Sequence, residues 1–128
     1  MSVEVFRAKR PRQLSEVVKY ETHPDYSRES GIALAGEAFD LGQVLGKVTA
    51  SGKLVVLDPA ASDGSEKAAG VSQVVVEAGA ADVVDVVYSR RATLFSASGL
   101  RWPAGITESQ VATALAQLET LGLIVRNS

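Results

Sequence analysis

The sequence predicts a mainly β fold with one short helix near its C-terminal end. Three observations lead there. The chain of 128 residues is 46% hydrophobic but only 5% aromatic, so Val, Leu, Ile and Ala must build its core, and β-branched Val favours strands. Short apolar runs return at intervals of about ten residues with Gly, Ser, Asp or Pro between them, the rhythm of a sandwich or barrel. After Thr107 the apolar spacing changes from a strand period to a helical one.

The first thirty residues stand apart. They hold six basic residues, Arg7, Lys9, Arg10, Arg12, Lys19 and Arg28, and five acidic ones. Apolar residues there are sparse and without sustained period, and Pro11 and Pro24 interrupt any long helix. Such a stretch buries too little apolar surface to offset its ordering entropy. Residues 1–28 are therefore expected to form an arm, flexible in isolation, and residues 29–128 a β-rich domain. Within the arm, Leu14 to Tyr20 can extend as a strand against a partner, with Leu14, Glu16, Val18 and Tyr20 on one face.

In the domain, Val44–Val48 and Lys53–Leu57 flank Ala50-Ser51-Gly52 and predict a hairpin. Asp58 to Lys67 is a loop. Further short strands follow at 68–71, 74–78, 83–88 and 92–95. Thr107 with Gln110 three positions later forms a capping box. Val111, Ala114, Leu115, Leu118 and Leu121 then share one helical face, Gly122 stops the helix, and Leu123-Ile124-Val125 closes as a strand.

Little in the sequence supports catalysis. There is no Cys and one histidine, His23, which lies in the arm before a proline and reads as polar surface. No G-x-S-x-G occurs. Gly46 to Leu54 superficially suggests a phosphate loop, but five residues separate its glycines and Leu54 stands where a hydroxyl is needed. Asp58, Asp63, Glu66, Asp82 and Asp85 lack the spacing of a calcium loop, and most sit in turns, where Asp bonds its own backbone. No cofactor or metal is expected. A net charge of -2 gives no global field for nucleic acid or anionic lipid. No run of about 18 apolar residues is present, and the N-terminus lacks a secretory signal, so a soluble chain made in the cytosol is expected. Arg7 to Arg12 places four basic residues in six and suits an acidic protein surface; Phe6 alone could stack on bases. Arg90-Arg91 forms an exposed corner suited to a subunit contact, and Trp102 reads first as core.

From about Gly42 onward, the order of features resembles the head decoration proteins of lambda-type bacteriophages. It rests on the Gly52-to-Asp58 hairpin return, the Asp63-Gly64 loop, Ala68-Ala69-Gly70-Val71, the Val-rich strand carrying acids, Leu100-Arg101-Trp102-Pro103, and the terminal helix with its apolar tail. The resemblance implies a β-clip-like fold that forms trimers on an expanded icosahedral head. There it binds the major capsid protein lattice on the outer surface of the virion and holds the shell against internal DNA pressure. On that reading the arm attaches: Arg7, Lys9, Arg10 and Arg12 lie on an acidic shell surface, while Leu14, Glu16, Val18 and Tyr20 add a strand. Arg90, Arg91 and Trp102 are expected at the trimer contact. Two other classes are weighed: a trimeric nucleotide hydrolase of the dUTPase type, whose motifs are not found here, and a nucleic-acid adaptor using the basic arm.

Overall fold

The computed structural model describes residues 13–127. Ten strands run through them: β1 (Val18–Glu21), β2 (Arg28–Ala33), β3 (Ala38–Phe39), β4 (Val44–Lys47), β5 (Leu54–Val56), β6 (Gly70–Ser72), β7 (Val76–Glu77), β8 (Val83–Ser89), β9 (Thr93–Ser96) and β10 (Leu123–Arg126). A single-turn helix α1 (Pro24–Ser27) and a longer α2 (Glu108–Thr120) complete them, with 3-10 turns at Leu14–Glu16 and Ala97–Gly99. The fold is mainly β with one substantial helix near the C-terminal end.

The expected hairpin is present. β4 and β5 pair antiparallel with Leu45 opposite Val56 and Lys47 opposite Leu54, and Gly52 donates to the Val48 carbonyl across the turn at 2.7 Å. This geometry also accounts for the glycines of the phosphate-loop-like stretch. The hairpin belongs to a closed barrel of order β2-β5-β4-β6-β8. A three-stranded sheet, β1-β9-β10, packs outside it, and β3 pairs with β7 in a small ribbon.

Two apolar cores result. Ala33, Leu45, Leu54, Val86 and Tyr88 form one with Phe39 and Val76 of the ribbon. Val44, Leu57 and Val71 form the other with Val17, Phe95 and Leu123 of the outer sheet and with Ala114 and Leu118 of α2. Alternation along β4 explains the division: Val44 serves one core and its neighbour Leu45 the other, so both are fully buried. Fully burying an apolar side chain of this size is worth about 1.5–3 kcal/mol. Gly42 lets β4 begin. Its φ of +86° suits glycine, and a Cβ there would overlap the Gly99 carbonyl.

The helix follows its sequence signals. Thr107 Oγ1 accepts from the Gln110 amide at 3.2 Å, and Gln110 Oε1 accepts from the Thr107 amide at 2.9 Å. Ala114 and Leu118 are buried, Val111, Leu115 and Leu121 half-buried. Gly122, at φ +81°, ends the helix and turns the chain into β10.

The arm departs from expectation. Residues 13–28 pack on the body. Leu14–Glu16 forms a 3-10 turn, not a strand, capped by Gln13 and Glu16. Leu14, Glu16, Val18 and Tyr20 therefore do not share one strand face. Val17 is the fully buried residue of this segment, Leu14 and Val18 pack half-buried on the same core, and a bulge shifts the register between Val18 and Tyr20. Val18–Glu21 already has a partner in β9 of its own chain. The reason is tertiary. Three apolar residues are too few to order a segment alone, but they complete a core made by strands and a helix far along the sequence. The run after α1 becomes β2, a barrel strand whose Arg-Glu-Ser start masked its period.

Candidate binding surface

β1 is the outer strand of its sheet and has β9 on one side only. Its other edge offers unpaired backbone groups among the described residues. Lys19 is exposed, and so is Tyr20, with 62% of its surface in solvent. An exposed, partly apolar strand edge is a template for an added strand.

A polar cluster fixes this edge to the barrel. Glu21 Oε1 and Oε2 accept from Arg28 Nη2 and Nε, both at 2.9 Å. Gln73 Nε2 donates to Glu21 Oε2 at 3.0 Å and to Ser89 Oγ at 2.7 Å. The Arg28 guanidinium, with help from Gln73, holds the Glu21 carboxyl below its ordinary range, against the opposing effect of burial. The cluster joins β1, β2, β6–β7 and β8. Nothing in the linear sequence marks it, because Gln73 lies 52 positions from Glu21.

His23 caps α1: its Nδ1 accepts from the Asp25 amide at 3.2 Å. The loop acids fulfil the turn reading. Asp58 accepts from the Ala60 amide, Asp63 from Ser65, and Glu66 from the Gly64 amide. The Ser65 hydroxyl and amide hold the Asp63 carboxyl below its ordinary range. Asp82 pairs with Lys53 at 2.5 Å, which lowers its carboxyl likewise. Among the described residues no group of three or more His, Asp or Glu side chains converges to hold a metal ion, and no helix is long and apolar enough to cross a membrane.

Arg90 and Arg91 line one groove on the barrel; Trp102 does not line it and packs half-buried on the core beside α2. Arg91 is engaged within its own chain. It donates to the Tyr26 carbonyl at 2.5 Å and to Glu29 at 3.0 Å, and its guanidinium lies 5.3 Å from the Tyr26 ring centroid. Arg7, Lys9, Arg10 and Arg12 lie outside the described residues.

The sequence profile of the bacteriophage lambda head decoration protein D family matches residues 8–123. The chain belongs to this family. It is thus a phage head decoration protein, and its family places it on the virion capsid. The match spans β1 to α2 and ends at Leu123, the first residue of β10, and it begins inside the basic run of Arg7 to Arg12. No curated protein gives a match.

Proposed function

We propose that this protein attaches as a trimer of β-clip-like modules to the outside of an expanded icosahedral head and stabilises the shell against the pressure of packaged DNA. Family membership carries the reading. The edge of β1 supports it: an added strand pairs with an open edge, and Val18–Glu21, with its exposed Tyr20, has one among the described residues. In this proposal Arg7, Lys9, Arg10 and Arg12 run along an acidic shell surface while the β1 edge pairs with a capsid strand. Leu14 and Val17 act as the anchor that holds the strand to the body. Contact between copies is assigned to the face carrying Trp102, since Arg91 is held inside its own chain. Three linked attachments rebind at high effective concentration, so individually weak contacts suffice. Whatever binds the closed shell in preference to its parts stabilises it by mass action.

The protein works without catalysis in this reading, consistent with the single histidine being used as a helix cap. Host-cytosolic synthesis belongs to the same proposal.

Co-sedimentation with expanded heads tests the attachment. The full chain should pellet with heads. A chain lacking residues 1–12, and a full-length chain with Arg7, Lys9, Arg10 and Arg12 reversed to Glu, should stay in the supernatant while remaining folded. Full occupancy by either variant would refute the role of the basic run. Sedimentation velocity of the free protein reads the oligomeric state, and a monomer on and off the head would refute the trimer.

A further inference from the structure

A groove of about 350 Å³ opens on the barrel between the start of β2, the β4–β5 turn and the end of β8. Four cations line it, Lys47, Lys53, Arg90 and Arg91, against one carboxylate, Glu29. Two of the four are satisfied: Arg91 pairs with Glu29 at 3.0 Å, and Lys53 pairs with Asp82 at 2.5 Å. The other two have no counter-charge among the described residues. Lys47 Nζ donates only to the Tyr88 hydroxyl, at 3.2 Å, and stands 5.7 Å from that ring's centroid. Arg90 is half-buried, and its side chain makes no hydrogen bond or ion pair among the described residues. The Tyr88 hydroxyl accepts from Lys47, leaving its own proton available for an acceptor.

An ammonium, a guanidinium and a hydroxyl therefore line one groove with donors unused and the nearby acids already engaged. Crowding two like charges is unfavourable unless an anion joins them. We propose that the groove is an anion site that takes a carboxylate from an acidic segment of a partner protein. Arg90 holds the carboxylate in fork geometry, Lys47 supplies the second charge, and Tyr88 donates a hydrogen bond. Two features favour a peptide carboxylate over a nucleic-acid phosphate. Glu29 within the groove and Asp82 beside it oppose a polyanion. Ile32, 39% exposed in the same lining, offers apolar contact to a residue flanking the acid. This site lies apart from the β1 edge and stands whether or not that edge attaches to a capsid.

The test is an NMR titration of the full-length protein with an acetylated, amidated peptide, Val-Glu-Leu-Glu-Val. Its Gln counterpart, inorganic phosphate and a short DNA duplex are the other arms. The Glu peptide should shift the Lys47 Nζ, Arg90 Nε and 29–32 amide resonances saturably. Losing one charge-assisted bond should weaken binding about tenfold or more in Lys47→Gln and Arg90→Gln. Lys67→Gln, which removes an exposed cation outside the groove, should bind as wild type. Arg90→Lys keeps the charge but loses the fork, and it reads the site should Arg90→Gln unfold. Equal shifts with the Gln peptide, no saturation, or stronger binding of phosphate or DNA than of the Glu peptide would overturn the proposal.

Discussion

At the scale of single residues, Glu21 shows how one side chain can fasten two sheets. Its carboxylate accepts three hydrogen bonds, two from Arg28 and one from Gln73, at a position mostly removed from solvent. Because the folded state holds its pKa below the ordinary value of 4.5, the folded protein binds fewer protons here than the unfolded chain. The stabilisation is fully present above pH 4.5 and disappears as the pH falls through the lower, folded value. Arg28 is over a third exposed, so solvent screening reduces the effect. Glu21→Gln should cost about 1 kcal/mol at pH 7 by urea denaturation. The difference from wild type should shrink as the pH falls below the folded value; a constant difference down to pH 2 would contradict the assignment. This cluster, like the Lys47–Tyr88 pair, joins residues too far apart in sequence to be visible there. His23 reads in the sequence as polar surface, and its capping role needed the position of the Asp25 amide.

At the scale of elements, local chemistry and tertiary chemistry divide cleanly. The β4–β5 hairpin and α2 were legible because their signals are short-range: a Ser-Gly turn in one, a reciprocal Thr107–Gln110 cap in the other. Thr107→Ala should therefore cost about 1 kcal/mol of stability, measured by chemical denaturation. β1 was legible only in part and β2 was not. Only β2 begins with charged residues; the Leu14-to-Tyr20 reading touched β1 but gave it an outside partner, and both owe their place to strands elsewhere in the chain, β9 for one and β8 for the other. Val17 is the clearest case: in a mostly polar segment with no sustained apolar period, it is fully buried. The outer edge of β1 shares that history. Sequence spacing placed Leu14, Glu16, Val18 and Tyr20 on one face, while the turn at Leu14–Glu16 and the bulge before Tyr20 rearranged them.

At the scale of the whole molecule, the two cores make the barrel, the outer sheet and α2 depend on one another. β4 contributes to both cores at consecutive residues, so neither can open without disturbing the other. Trp102, the only tryptophan, packs against one core. Its fluorescence and the far-ultraviolet circular dichroism should report a single coincident thermal transition. Leu118→Ala, which empties a fully buried site, should destabilise by about 2–5 kcal/mol and lower both signals together. Separate transitions would mean that the outer sheet and α2 melt apart from the barrel.

The order of strands in the outer sheet also sets a timetable. β9 sits between β1 and β10, which come from opposite ends of the described chain and lie about a hundred residues apart in sequence. A ribosome must therefore have released nearly all of these residues before the sheet can close. Until then Val17, Phe95 and the strand edges beside them stay unprotected, and such edges are where nascent chains stick to one another. The open edge of β1 is thus also among the last parts of the molecule to find shelter during synthesis.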